Sequence, residues 1–228
     1  MKLLEFLNNI APNLVKLYPD MIKALFETFY MVAISGIISA IAGIVFGVTL
    51  VVTKEGSILP NKVINNVLGK IINIFRSIPF IILLAAIIPL TRFLVGTTIG
   101  TKGALVPLIF GCTPFFARQI ESALLDIDRG VIEAAQSMGS SPLEIIFRIM
   151  LKEGLPGIIH AVTITIISLI GLSAMAGTVG GGGLGDFAIR YGYQYFQTDI
   201  MVATIIVLLI IVNLIQVLGD ILSKLVTH

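Results

Sequence analysis

The stretch FYMVAISGIISAIAGIVFGVTLVV, residues Phe29–Val52, contains no charged side chain, and it decides the class of this protein. A helix needs about 20 mostly apolar residues to cross the hydrocarbon core of a bilayer. Phe29–Val52 meets that length, so it is predicted to span a membrane as a helix.

The composition of the whole chain agrees with a lipid solvent. The 228 residues are 57% hydrophobic and 12% charged, with a mean hydropathy of +1.04. Soluble domains carry about 25% charged residues, so too few charges remain here to cover a particle in water. The net charge of +2 excludes a strongly basic field of the kind that binds nucleic acid.

Four more apolar stretches are long enough to cross a bilayer. We therefore predict an all-α polytopic protein with five transmembrane helices, which form one domain over residues 1–228 and leave the two termini on opposite faces. The predicted spans are about 29–52, 71–90, 103–121, 157–177 and 200–218.

The lysines and arginines between the spans set the orientation by the positive-inside rule. The slightly larger set places residues 126–156 and the C-terminus in the cytoplasm and the N-terminus outside, where the residues before Tyr18 could form a short interfacial helix. The cytoplasmic set is Lys54, Lys62, Lys70, Arg118, Arg129, Arg148, Lys152 and Lys224, and the outer set is Lys2, Lys16, Lys23, Arg92, Lys102 and Arg190.

Small residues predict close helix contacts inside the membrane. The first span carries Ser35, Ser39, Gly43 and Gly47 at four-residue spacing. Such a ridge lets two helix backbones approach closely, either within one monomer or between two copies.

The fourth span offers candidates for a gate or a substrate pathway. Ser168 and Ser173 carry hydroxyls, which by default bond back to their own helix. Met175 lies near the predicted outer end of the span, where a flexible thioether fits either a gate or plain packing.

Arg76 is the one full charge well inside a predicted span, and we also regard it as a pathway candidate. It would either extend to the membrane surface, satisfy the carbonyl that Pro79 leaves free, or pair with Glu121.

Other function classes find less support in the residues. The sequence TVGGGGLGD, Thr178–Asp186, matches a dinucleotide-binding pattern by its glycines, but it follows a membrane helix instead of a strand. It is interpreted as a tight, flexible connection on the outer side. No Walker sequence and no cysteine metal cluster is present, so no metal or catalytic residue is predicted. An intramembrane enzyme would need a nucleophile with a base in reach, and Cys112 with His160 is the only candidate pair.

One polar segment interrupts the apolar chain: EAAQSMGSSPLEIIFRIMLKEGLPG, Glu133–Gly157. A first helix is predicted over Gly130–Met138, with Val131, Ala135 and Met138 on one face and Gly139 at its end. Ser141, Pro142 and Glu144 then predict a capping box and a second helix to about Lys152, which Gly154 and Pro156 end. Its predicted apolar stripe is Leu143, Ile146, Ile149 and Met150.

A helix as short as the first one is marginal in water, so it needs a support. That support is either a groove on another protein or the lipid headgroups.

The same segment resembles the E-A-A-x-x-x-G-x(9)-I-x-L-P signature of bacterial ABC importer permeases. The chain has Lys152 where that signature has its proline, and Leu155–Pro156 follow one turn later. Three more stretches resemble the permeases of methionine importers: NIFRSIPFIILL (73–84), IPLTRFLVGTTIG (88–100) and SAMAGTVGGGGLG (173–185). The residues that match the signature are Glu133, Ala134, Ala135, Gly139, Ile149 and Leu151.

This resemblance implies a homodimeric permease in the bacterial inner membrane, with the pathway on its two-fold axis. It also implies two copies of a cytoplasmic ATPase, which binds the ATP and Mg, and an external lipid-anchored methionine-binding protein. Met175 corresponds to a methionine near the external gate. The implied coupling helix to the ATPase contains Glu133, Ala134, Ala135, Met138 and Gly139.

The leading hypothesis is thus the permease subunit of an ATP-driven importer of methionine, D-methionine or related amino acids. The alternative is a secondary carrier or channel that works without ATP on a small amphipathic solute. The spans show no chain of buried acids, which a proton-driven carrier would need.

Overall fold

A computed structural model describes residues 11–226, and every regular element in that range is helical. The helices are α1 (Pro12–Val52), α2 (Lys62–Ser77), α3 (Phe80–Ala86), α4 (Ile88–Val95), α5 (Gly100–Leu125), α6 (Arg129–Ser137), α7 (Pro142–Glu144), α8 (Leu151–Glu153), α9 (Leu155–Gly177), α10 (Gly183–Phe187) and α11 (Thr198–Val226), with π-helices at Ile145–Met150 and Ala188–Gln194.

Four of these helices, α1, α5, α9 and α11, are long and apolar enough to cross a membrane. A fifth candidate exists if the broken pair α2 and α3 is taken as one span. The predicted all-α, multi-pass class is confirmed.

The stretch predicted as the second span is divided, because Ile78 has extended dihedrals, φ −83° and ψ 122°, immediately before Pro79. A residue that precedes proline is disfavoured in the helical region, so the helix ends there.

Only part of the segment predicted as an interfacial helix lies within residues 11–226. Residues 1–10 lie outside the described residues, and the residues from Pro12 to Tyr18 form the start of α1 instead of a separate helix.

The chain divides into two compact units, each assembled from three stretches. Unit 1 comprises Met1–Gly36, Phe80–Ile109 and Ile167–Ile215. Its buried cluster is Ala24, Leu184, Phe187 and Ile200, against which Leu17, Met21 and Tyr191 pack.

Unit 2 comprises Ile37–Pro79, Phe110–Ile166 and Gln216–His228. Its buried cluster joins the end of α1 and the end of α5 to the polar segment after α5. The members are Val51, Val52, Phe116, Ile120, Leu124, Ala135, Ile145, Ile146, Met150 and Ala161.

The ridge of small residues on α1 is a contact within this chain. Ser39 is fully buried, and its hydroxyl accepts a hydrogen bond from Thr113 of α5 at 3.2 Å. A Cβ built on Gly47 would lie 2.7 Å from the carbonyl oxygen of Ala117 and 2.7 Å from the Ile120 side chain. Of the two interpretations of this ridge, the structure therefore supports contact within one monomer for Ser39, Gly43 and Gly47.

Gly47→Ala is expected to destabilise the protein by about 1–3 kcal/mol, because the new methyl group meets backbone that cannot rotate away. Gly36→Ala in the same helix is the matched control, since its Cβ would lie 3.5 Å from Leu169, an ordinary contact. Thermal unfolding of the purified protein in detergent measures both variants. Equal midpoints for the two would contradict the close contact between α1 and α5.

Candidate functional site

The polar segment begins with α6, a short helix whose two ends are closed by local hydrogen bonds. Asp128 caps its start, because the Asp128 carboxylate accepts from Gly130 N at 2.8 Å. At the other end Gly139 has φ +80°. Gly139 N donates to Gln136 O at 3.0 Å and Ser140 N donates to Ala135 O at 3.1 Å. These two bonds form a Schellman motif, so the predicted glycine stop is confirmed.

The predicted capping box follows directly. Ser141 N donates to Glu144 Oε2 at 3.0 Å, and Glu144 N donates to Ser141 Oγ at 3.4 Å. The bond from Ser141 N is the main reason that the pKa of Glu144 is lowered. Pro142 occupies the first turn, as predicted. The box starts a nearly continuous helical run through α7, the π-helix Ile145–Met150 and α8.

The predicted apolar stripe of this second helix is wrong in part. Ile145, Ile146 and Met150 are the buried residues, whereas Leu143 is 65% exposed. The cause is the π-helix, in which Leu151 N donates to Ile146 O, five residues back. This wider turn shifts which side chains face the core.

The predicted stop at Gly154–Pro156 is also corrected. Gly154 interrupts the helix for one residue, and Gly154 N still donates to Met150 O at 2.9 Å. Pro156 lies in the first turn of α9, where its missing N–H costs no helical hydrogen bond. The polar segment therefore continues almost directly into α9.

The predicted face of α6 is likewise only partly buried. Ala135 is 1% exposed and packs into the unit 2 cluster, but Val131 and Met138 are exposed. Glu133 and Ala134 are exposed as well.

The segment and the end of α5 therefore present exposed apolar side chains within the described part of the chain. Leu143, Phe147 (67% exposed) and Met138 (79% exposed), together with Leu125 and Val131, form what we call the exposed apolar set. Exposed apolar side chains that form one patch commonly mark a protein or membrane contact.

A cleft of about 150 Å³ lies beside the same helix. Arg129, Glu133 and Gln136 of α6 line it, opposite Lys54 and Glu55 of the turn after α1. Residues of both charge signs line this cleft.

The gate and pathway candidates lie elsewhere. Ser168, Ser173 and Met175 are on the part of α9 that belongs to unit 1, and Arg76 is on α2 in unit 2. The Ser173 hydroxyl donates to Ile170 O of its own helix at 2.7 Å, which is the default predicted for such residues. Ser168 is half-buried, and Met175 is 41% exposed.

Of the three alternatives for Arg76, the pairing with Glu121 is not the one that forms. Arg118, one turn earlier on α5, binds Glu121 at 2.5 Å and also donates to Gly69 O at 3.2 Å and Asn73 Oδ1 at 2.9 Å. Arg76 itself is exposed. Arg118 was predicted only as one of the cytoplasmic cations, although its spacing of three residues from Glu121 was a signal of this ion pair.

Two more polar residues escaped the sequence analysis. Glu27 and Thr28 precede the charge-free stretch, and they hydrogen-bond the backbone of Gly183 and Leu184 in unit 1. Three glycines nearby, Gly180, Gly182 and Gly183, have positive φ, so the predicted tight turn is confirmed. Glu27, an acidic residue two positions before the charge-free stretch, was the feature of the sequence that could have indicated this contact.

The two residues nominated for an enzyme do not form a reactive pair. Cys112 is 1% exposed and free of disulfide, and its side chain is hydrogen-bonded to Ser39. His160 is exposed. This arrangement fits a small packing thiol.

Comparison with known proteins gives a consistent family. Residues 40–228 match the family described as binding-protein-dependent transport system inner membrane component. The chain is 51% identical over 208 residues to a probable D-methionine transport system permease protein MetI of Vibrio cholerae, with 91% of this chain and 92% of that protein covered. It is 42% identical to the methionine import system permease protein MetP of Bacillus subtilis, with 90% and 92% covered.

Solved structures agree. The permease chain in the inward-facing MetNI methionine ABC transporter has a TM-score of 0.89 at 45% identity, with 91% of this chain and 96% of that chain covered. An amino acid ABC transporter chain at 18% identity has a TM-score of 0.76 with 93% and 96% covered, and it shares the fold.

The left-handed stop at Gly139 generates a prediction. Gly139→Val is expected to loosen the turn between α6 and α7, because a β-branched residue is strained at φ +80°. Gly139→Asn is the matched control, since asparagine tolerates this conformation. Limited proteolysis of the purified protein reports the change. Equal cleavage of the two variants in the 129–153 segment would show that the turn does not depend on the glycine.

Proposed function

Because the chain belongs to the family of binding-protein-dependent transport system inner membrane components, we propose that it imports methionine as the permease subunit of an ATP-driven transporter. D-methionine and related amino acids are included in the proposed substrate class. The chain is not itself an enzyme, since ATP hydrolysis in such a system belongs to a separate ATPase subunit.

One observation carries this proposal beyond membership of the family. Apart from Leu125, the last residue of α5, the exposed apolar set lies on the capped segment between α5 and α9, outside the four helices long enough to span a membrane. The other side of that segment is anchored in the unit 2 cluster through Ala135, Ile145 and Met150. A segment with one face in the membrane domain and one face open is suited to receive a moving partner.

The proposed assembly contains two copies of this chain and two copies of a cytoplasmic ABC ATPase, in the bacterial inner membrane. An external lipid-anchored binding protein delivers the substrate. The ATPase holds ATP and Mg, and this chain contributes no cofactor. The proposed orientation puts the polar segment and the C-terminus in the cytoplasm and the N-terminus outside.

The coupling step follows from the anchored segment. Closure of the ATPase pair would displace Glu133, Ala134, Met138 and Gly139, and the rigid caps at Asp128 and Ser141 would transmit that displacement. Ala135 and Ile145 pass it to the ends of α1 and α5. The helices then reorient and alternate the access of the pathway. Met175, Ser173, Ser168 and Arg76 are the proposed gate and pathway residues.

The experiment that tests the function is transport by the reconstituted complex under separate control of its energy sources. We expect methionine uptake to stop when ATP is removed and to continue when the proton gradient is collapsed. The measurement is accumulation of labelled methionine in proteoliposomes. Uptake that persists without ATP would favour the secondary carrier or channel.

Glu133→Lys is expected to lower ATP-driven uptake at least about tenfold, because it reverses the charge on the face proposed to meet the ATPase. Insertion and dimerisation should not change, since Glu133 is exposed in this chain.

Asp220→Lys is the matched control for Glu133→Lys. It makes the same charge change at an exposed position on α11, outside the polar segment, and should retain uptake. Wild-type uptake by Glu133→Lys would remove Glu133 from the coupling contact.

A further inference from the structure

Two side chains of α1 hold the glycine-rich turn that follows α9. Glu27 Oε2 accepts a hydrogen bond from Gly183 N at 2.9 Å, and Thr28 Oγ1 accepts one from Leu184 N at 2.8 Å. The Thr28 hydroxyl also donates to Ala24 O at 3.1 Å, so it is used in both directions. Both acceptors meet the start of α10, where backbone N–H groups have no partner within the helix.

The turn fits these two side chains closely. Gly183 has φ +76°, and a Cβ there would lie 2.7 Å from Thr28 Oγ1. A Cβ on Gly182 would lie 2.9 Å from Glu27 Oε2. The backbone therefore reaches Glu27 and Thr28 only because glycine occupies both positions.

The segment held in this way packs backbone to backbone on the end of α9. A Cβ on Gly185 would overlap Ala174 Cα, and a Cβ on Gly177 would overlap Asp186 N. These contacts lie on both sides of Met175 along the chain. A displacement of Gly183–Asp186 therefore displaces the backbone that carries Met175.

The chain uses a carboxylate where a neutral side chain could serve. Glu27 lies two residues before the charge-free stretch Phe29–Val52, on the same helix. Serine or asparagine would also accept a hydrogen bond at a helix start. A charged acceptor forms a bond about twice as strong as a neutral one, which fits a contact that must hold against a load.

We propose that Glu27, with Thr28, is a positioning residue that holds the end of α9 and thereby keeps the Met175 gate closed in the absence of ATP. This inference rests on the proposed function, since it assigns a role within the same transport cycle. The hydrogen bond from Gly183 N to Glu27 holds the gate closed, and the gate opens when this bond breaks.

The position of Glu27 on α1 supports a link between the gate and the proposed ATP-driven coupling step. α1 runs without a break from Pro12 to Val52, and its end, Val51 and Val52, lies in the cluster that receives Ala135 and Ile145 of the polar segment. The helix that bears Glu27 is thus also one that the coupling step displaces.

The experiment measures passive efflux of labelled methionine from proteoliposomes that contain the complete complex without ATP. Glu27→Ala is expected to raise efflux per assembled complex about two- to tenfold, the range that one hydrogen bond supplies. Glu27→Gln keeps a neutral acceptor for Gly183 N and should fall between wild type and Glu27→Ala. Assembly on size exclusion and the maximal rate of ATP hydrolysis should match wild type in both.

Thr28→Val and Thr28→Ser provide a second test, which decides the matter if Glu27→Ala fails to assemble. Valine keeps the shape and removes the acceptor for Leu184 N, so efflux should rise. Serine keeps the hydroxyl and should seal like wild type.

Efflux equal to wild type in every assembled acceptor-free variant would overturn the inference. Equal leakage from Glu27→Gln and Glu27→Ala would overturn the hydrogen bond as its cause. A wild-type complex that takes up no methionine with ATP would refute the proposed function instead, before any variant is compared.

Discussion

The packing of one polar segment into a membrane domain is the contact on which the rest of this structure depends. Ala135, Ile145, Ile146 and Met150 share a buried cluster with the ends of α1 and α5. Without that cluster the segment would be a short helix in water, which is marginal by itself. With it, a surface that carries Glu133 and exposed apolar side chains is packed against the ends of two long helices. The proposed transfer of ATP-driven motion requires that junction.

Close backbone approach supplies the rigidity that the hydrophobic effect cannot supply between helices in lipid. Lipid tails are as apolar as leucine, so helices associate there by packing and hydrogen bonds. In unit 2, Gly47 brings α1 onto the backbone of α5. In unit 1, Gly185 and Gly177 bring α10 onto the end of α9. Each contact leaves no room for a methyl group, so each transmits a displacement instead of absorbing it.

Many polar side chains among the described residues bond to the backbone of their own helix, and a smaller set reaches the backbone of a neighbouring helix. Arg118 binds Gly69 O in addition to Glu121 and Asn73, and Asn65 donates to Leu50 O at 2.7 Å. Glu27 and Asp199 each accept from backbone N–H groups at a helix start. In a medium without water an unsatisfied group is costly, so these side chains fasten helices at defined points. The resulting points are few and specific, which suits helices that change position as units.

The sequence by itself determined the all-α membrane class, the capping box at Ser141 and Glu144, and the left-handed stop at Gly139. These follow from composition and from contacts within a few residues, and such local rules can be applied to any chain. Only the tertiary structure decided that the buried stripe after Ser141 is Ile145, Ile146 and Met150, since a π-helix changes the period that the pattern assumed. It also decided that Arg118 reaches Gly69 and Asn73 on α2, and that Glu27 reaches Gly183. Those pairs join residues far apart in the chain, and no local spacing encodes which helix packs against which.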